Sequence, residues 1–446
     1  MISQESPVPP EDRKTSRCNM VDLKRIMYYT HNSIGVGHTF RALAVITAMR
    51  KHRPDIDFLV VSGTSVPELF LKNGIEVVKL PSIKFHIDDN TYFLGPRYLK
   101  NCSVEAVSDL REKIIEDTFK TFQPDVLIVE HNMLGQRGEI IPILLKKWRQ
   151  ISQGETFALV HISRGVLKNP SLIEAPFNDR RQKSESIYVG DLYDFIYVME
   201  DREVIDINRA YFGNRRSLKR KIQYMGKITV KTREELASKE EVFRRLNNGS
   251  DHEIILVSLG RARSALRIAE LVVQAFSDLN LQDRYGLFFV IDPYLAPEIK
   301  QQLVRRFSNG HLFFLDFLPD LVDIINAASL VIGRAGYNTL SEVLLTDSRA
   351  ILIPEEHGHQ EQETRLGKVQ KANISVIYEE ELNLENFRDV LDRMLRLVPV
   401  SLNCRFDKYR IAGKMLQDLE GYFQRPSEVM SLGLKSRHEE VERVLG

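Results

Sequence analysis

The chain has 446 residues, with 62 Lys+Arg against 61 Asp+Glu, a formal net charge of +1, and 43% hydrophobic against 28% charged side chains. This length predicts two to three domains, each with its own core, and rules out a small scaffold stapled by disulfides or a structural metal. The near balance of charge gives no global field for a polyanion, so nucleic acid is not an expected partner.

Cys18, Cys102 and Cys404 show no CxxC or CxH spacing and read as reduced thiols of a cytoplasmic protein. Residues 1–22 are polar and proline-rich without an apolar centre, which reads as a disordered leader rather than a secretion signal. No run approaches the ~18 consecutive apolar residues of a membrane helix, so membrane contact is expected to be peripheral at most.

Short runs of Val, Ile and Phe alternate with longer segments of helical period, the pattern of a parallel sheet buried between helical layers. The first set of predicted strands is 25–29, 56–61, 76–80, 126–129, 157–162 and 195–199. Between the first two, residues 39–51 place Ala42, Leu43, Ile46 and Met49 on one helical face. A second set follows at 254–258, 287–291, 312–315, 330–332, 350–353 and 375–378. Two doubly wound domains are therefore expected, over 23–225 and 226–400, with helices and a charged tail over 401–446. Such sheets bind ligands at the carboxyl ends of their strands, which directs attention to the loops there.

The loop from Thr30 to His38 joins the first strand to the first long helix. Gly35 and Gly37 allow close backbone approach, and the helix start offers free N–H groups to an anion. Phe40 stands where a dinucleotide fingerprint would have its third glycine. His38 is either a general base, an anion ligand or merely a helix cap. A second loop runs from Gly333 through Arg334 and Gly336 to Glu342. There the amides of Tyr337, Asn338 and Thr339 suit a diphosphate at a helix N-terminus, and Glu342 suits the two hydroxyls of a ribose. Downstream, Glu361-Gln362 at another helix start suits a hexose, by accepting from its hydroxyls and donating to its substituents. The His357/His359 spacing matches no established ligand set, so no metal is expected.

Together these segments resemble the GT-B glycosyltransferases, and within them the MurG-like family 28 enzymes and related predicted glycosyltransferases. The run from Ser33 to Ala44 is similar to that family's glycine-rich loop. Phe317-Leu318-Pro319-Asp320 through Gly333-Arg334-Ala335-Gly336 to Ser341-Glu342 looks like its nucleotide-binding stretch, which is the most specific part. The resemblance implies an α/β GT-B fold, two Rossmann-like doubly wound domains facing a central cleft. It also implies that Phe317 and Leu318 flank the base, that Glu342 binds the ribose, and that Arg334, Gly336, Asn338 and Thr339 line the diphosphate. Glu361 and Gln362 would address the sugar, and His38 would sit near the scissile bond. The chain departs from the family at Ser258-Leu259-Gly260-Arg261, where more glycines are usual, and at Asn32-Ser33-Ile34.

On this reading the reaction moves a sugar from a nucleoside-diphosphate donor, of the UDP or dTDP type, to an acceptor hydroxyl, with inversion as the resemblance implies. The leaving diphosphate is held by helix N-termini and Arg rather than by a metal, and no cofactor is required beyond the nucleotide-sugar. His38 is the first base expected and Glu130, at the end of its strand, the second. The plainer reading of Glu130 is a strand-end charge paired with Arg137 or His131. Two alternatives share the architecture: a nucleotide-sugar epimerase or hydrolase, and a non-catalytic nucleotide-sugar-binding protein. For the unidentified acceptor, small molecule, lipid-linked or glycan, segments 85–100 and 164–183 are the expected walls. The helix at 139–150 either rests on the inner face of a membrane or is an ordinary sheet-packing helix with a basic end.

Overall fold

The computed structural model describes residues 22–31, 36–88, 91–150, 157–167, 176–178, 186–246, 252–260, 264–291, 301–302, 305, 311–315, 318, 320–355, 359–369, 372–404 and 406–424. The first seven-stranded sheet is built from β1 (Arg25–Thr30), β2 (Asp57–Ser62), β3 (Glu76–Lys79), β6 (Val126–Glu130), β7 (Ala158–Ser163), β10 (Phe195–Val198) and β11 (Ile222–Tyr224), in the order β11-β10-β7-β6-β1-β2-β3. Every pairing in it is parallel, and β1 lies in register between β2 and β6, with Tyr29 opposite both Val61 and Val129. The central strands β1, β6 and β7 are buried on both faces, as βαβ wiring demands. Two antiparallel hairpins stand outside the sheet: β4 (Ile83–Asp88) with β5 (Thr91–Pro96), and β8 (Pro176–Asn178) with β9 (Ser186–Tyr188). The six expected strands are all present. β11 and the hairpins are additional: β8, β9 and β11 have only three residues each, too few to show a period.

The second sheet is β12 (Glu253–Ser258), β13 (Tyr285–Val290), β14 (Leu312–Leu315), β15 (Leu330–Gly333), β16 (Ala350–Leu352) and β17 (Ile374–Val376), in the order β14-β13-β12-β15-β16-β17. It too is wholly parallel. Gly226, at φ 79°, stands just after β11, where the chain leaves the first sheet.

The helix at Ile141–Gln150 is of the sheet-packing kind. Ile143, Leu144 and Leu145 are buried in the core of the first sheet, and Lys147 is itself buried, pairing with Asp194 at 2.8 Å. Its apolar face is thus already covered, which removes it as a membrane-resting surface. No helix among the described residues is long and apolar enough to cross a membrane. Cys102 is exposed and Cys404 half-buried, both as free thiols.

The last helix, Lys408–Phe423, does not stay with the second sheet. Its Ile411, Met415, Leu416 and Leu419 join the core formed by β1, β2 and the helix Gly37–His52. His52 and Arg53, at the end of that same helix, tie it further, through Tyr409 O at 2.8 Å and Glu420 Oε1 at 2.5 Å. Leu419→Ala, at a fully buried position, is therefore expected to cost about 2–5 kcal/mol in urea unfolding of the N-terminal domain. A loss below about 0.5 kcal/mol would contradict this packing.

Candidate functional site

The carboxyl ends of the two sheets meet in a cleft, and two helices begin there. The helix Gly37–His52 follows β1, and the helix Tyr337–Thr346 follows β15. Neither has a side-chain cap or an acidic residue in its first turn. Their first intrahelical bonds are Phe40 N to Val36 O and Leu340 N to Gly336 O. Among the described residues, the amides of the first turns, Gly37 to Thr39 and Tyr337 to Thr339, have no intrahelical acceptor and are available to another one. The two termini approach closely. A Cβ on Gly37 would lie 3.2 Å from Asn338 Nδ2, whereas one on Gly336 would meet nothing within 4 Å. Glycine at 37 thus lets the termini face each other, and Gly336 opens onto free space. Two positive helix ends aimed at one space favour an anion.

Below the first helix, Glu130 is fully buried at the end of β6. It accepts from Thr30 Oγ1 at 2.8 Å, meets His38 Nδ1 at 3.1 Å, and is paired with Arg41. Burial raises its pKa, but Arg41 and then His38 outweigh that and bring it down to about 2. Glu130 is therefore a fixed anion. It does not face the cleft as a base, because its oxygens are committed to neighbouring donors. Its partner is Arg41 rather than the expected Arg137, which pairs with Glu105, and the ring beside it is His38 rather than His131. With Nδ1 turned to Glu130, His38 keeps Nε2 for other work. His31 and His131 complete a cluster with His38 in which one ring nitrogen of each lies within 4.8 Å of the others. Burial pushes the pKa of His31 down to about 3 and that of His131 well below the ordinary value.

A charged clasp joins the domains at the floor of the cleft. Arg365, fully buried, donates to Glu200 at 3.0 Å and to Glu361 at 2.6 Å, and Glu361 also holds Arg164 at 2.7 Å. Tyr337 lies between Arg41 and Arg365, whose guanidinium carbons stand 4.8 and 5.0 Å from its ring centre. Its hydroxyl donates to Met199 O at 2.6 Å. Arg164, Glu200 and Arg365 lie in no motif and are brought together only by the two sheets.

The residues expected to hold a donor fall into three groups. Asn338, Thr339 and Gly336 form the open helix terminus, with Glu342 one turn on. Arg334 is turned away from the role expected of it. Its guanidinium is bound to Glu379 at 2.5 Å and Ser264 Oγ at 2.6 Å, so it braces the loop instead of standing free for a diphosphate. Glu361 is likewise committed to two arginines rather than free to accept from a sugar, and Gln362 accepts from the Glu355 amide at 3.1 Å. Ser258 ends β12 beside Gly333, Gly260 follows at φ 63°, and Leu318 packs on the core beneath. Gly35, Arg261, Phe317 and His357 lie outside the described residues, as does most of segment 164–183. Segment 85–100 is largely the second half of the β4–β5 hairpin and the turn after it, where Tyr98 is 67% exposed.

Two facing parallel α/β sheets with a cleft between their carboxyl edges form the GT-B fold, to which the solved relatives also belong. Residues 254–397 match the glycosyltransferase family 28 C-terminal domain. The chain is 26% identical over 366 residues, 80% of its length and 88% of the relative's, to the UDP-N-acetylglucosamine--N-acetylmuramyl-(pentapeptide) pyrophosphoryl-undecaprenol N-acetylglucosamine transferase of Listeria monocytogenes. Among solved structures, Acinetobacter baumannii MurG superposes with a TM-score of 0.51 at 12% identity, over 89% of this chain and 99% of that one. The UDP-GlcNAc 2-epimerase of Neisseria meningitidis does so with a TM-score of 0.59 at 10% identity, over 89% and 99%. The chain is thus a GT-B protein resembling the MurG-like glycosyltransferases of family 28.

Glu342 offers a test of the donor side in the empty protein. Burial alone raises its pKa from 4.5 to about 8. The folded chain then keeps a proton that the unfolded chain releases, so stability falls as pH rises from about 4.5 to about 8. Glu342→Gln cannot ionise. It is expected to melt with the parent at the acid end of that window and to exceed it above the alkaline end, by on the order of 1–3 kcal/mol. Equal melting at both ends would show that the carboxyl is solvated.

Proposed function

We propose that the chain is an inverting glycosyltransferase that takes a sugar from a UDP-sugar and passes it to an acceptor hydroxyl. The observation that carries this reading is the pair of uncapped helix termini meeting at Gly37 and Asn338. Departure of a nucleoside diphosphate from a sugar builds negative charge on the diphosphate, and pre-aimed main-chain dipoles stabilise that charge without reorganisation. The donor diphosphate lies against the amides of Tyr337, Asn338 and Thr339, the ribose hydroxyls against Glu342, and no cation is needed on the diphosphate itself. UDP-N-acetylglucosamine is the first donor to try, because it is the donor in the name of the Listeria monocytogenes relative.

His38 stands on the acceptor side, with Glu130 as a positioning residue that accepts from Nδ1 and leaves Nε2 to take the hydroxyl's proton. The acceptor enters from the first domain, past the β4–β5 hairpin. A lipid-linked hydroxyl is the class suggested by the relative's name, and it would bring the chain to a membrane surface from the cytoplasmic side. An epimerase or hydrolase needs acid and base groups on both faces of the sugar. Glu361, the carboxylate expected at the sugar, is neutralised by Arg164 and Arg365, which favours transfer.

Thermal-shift binding across a panel of nucleotide-sugars, followed by mass spectrometry of products from extracts supplied with the tightest one, tests the reading. A UDP-sugar is expected to stabilise the protein and to yield a glycoside. Free UDP or an epimerised donor with no glycoside would contradict transfer. Glu342→Ala is expected to weaken UDP binding by about tenfold or more. Glu130→Gln is expected to lower kcat by about 10²–10⁴ while leaving donor KM near the parent's.

A further inference from the structure

His31, His38 and His131 reach one point of the cleft from three separate elements: the end of β1, the first turn of the helix after it, and the residue after β6. Their ring centres are separated by 5.1, 5.5 and 5.0 Å, a nearly equilateral triangle. With metal–nitrogen bonds of about 2.0–2.1 Å and tetrahedral angles, three imidazoles aimed at one ion place their ring centres about 5 Å apart. One nitrogen of each ring already lies within 4.8 Å of the others. Closing to the ~3.3 Å nitrogen spacing of such a site takes ring movements of about 1 Å.

The cluster is otherwise unexplained by packing. The Nδ1 atoms of His31 and His131 are buried without a hydrogen-bond partner among the described residues, a cost a structural core would avoid. His131 holds φ at 70°, in the left-handed region, and its amide is pinned to Ile162 O at 2.9 Å. That backbone turn directs the His131 ring toward His31 and His38, whose ring centres lie 5.5 and 5.0 Å away. His38 is oriented by Glu130, the carboxylate–histidine arrangement that fixes the tautomer of a metal-ligating ring. The neighbouring cations do not repel an ion at full strength, since Arg41 is paired with Glu130 and Arg164 with Glu361.

We propose that His31, His38 and His131 bind one divalent transition-metal ion of the zinc class, with Glu130 as the outer-shell acceptor that orients His38. An all-imidazole set selects zinc, cobalt, nickel or copper over magnesium and calcium, which require oxygen ligands. This site is therefore distinct from a cation on the donor diphosphate. Three protein ligands leave a fourth position for water or a hydroxyl, the pattern of sites that activate a ligand rather than staple a fold. Occupancy and proton abstraction at Nε2 of His38 exclude each other, so the ion and the free base are alternative states of one ring.

The test is titration of the chelator-stripped full chain with Co²⁺, read by its visible absorption, with Zn²⁺ added afterwards as competitor. One equivalent per chain is expected, with the intense bands of a four-coordinate site that Zn²⁺ abolishes and Mg²⁺ does not. His31→Ala and His131→Asn are each expected to weaken Co²⁺ binding at least tenfold. Asparagine tolerates the left-handed backbone at 131, and far-UV circular dichroism of the stripped variants confirms that they fold. Glu130→Gln is expected to weaken binding by about 10–100-fold. No saturable uptake, a spectrum equal to that of aqueous Co²⁺, or affinity unchanged in the two folded histidine variants would overturn the proposal. The readout involves no sugar, so failure here leaves the transferase reading standing, and failure of that reading leaves this result intact.

Discussion

The cleft has its shape because buried charges at its floor are paired across the two domains. Arg365 belongs to the second domain, and besides Glu361 of that domain its guanidinium binds Glu200 and the main chain of Arg164, both from the first. Removing one partner would leave an uncompensated buried charge, at a cost of about 3–5 kcal/mol. Tyr337 shares that floor, hydrogen-bonded to Met199 O and flanked by arginines from either side. Because Tyr337 is also the first residue of its helix, the contact that joins the domains also sets where the helix terminus points. The facing of Gly37 and Asn338 follows from it.

The two walls of the cleft use different chemistry. The C-terminal wall presents the Gly336 helix terminus and the carboxyl of Glu342, chemistry of the kind that suits a diphosphate and a diol. The N-terminal wall presents imidazoles tied to a buried anion, a set for proton transfer or for a soft cation. Arg334, which the sequence suggested as a diphosphate ligand, is instead buried and paired with Glu379 and Ser264, so that among the described residues the positive potential facing the Gly336 turn comes from helix ends.

The architecture was legible in the sequence because parallel strands buried on both faces are nearly continuous apolar runs, as at Val126–Glu130 and Ala158–Ser163. The loops that carry chemistry were legible from glycines and polar residues at strand ends, and His38 and Glu130 were both marked. Their relation was not. Whether Glu130 meets Arg41 or Arg137 depends on the helical turn that brings Arg41 beneath β6, and spacing along the chain does not encode it. The histidine triad was hidden for the same reason. His31 and His131 are neighbours only because β1 and β6 pair in parallel, with Tyr29 opposite Val129. Spacing along the chain brings together only His357 and His359, a pair that matches no established ligand set.

On the proposed reading, the helix termini meeting at Gly37 and Asn338 hold the diphosphate of a nucleotide-sugar. A crystal structure of the chain with UDP tests it most directly. The β-phosphate is expected within hydrogen-bond distance of the amides of Asn338 and Thr339, with the ribose hydroxyls on Glu342. UDP bound elsewhere, or bound with its phosphates away from the Gly336 turn, would contradict it.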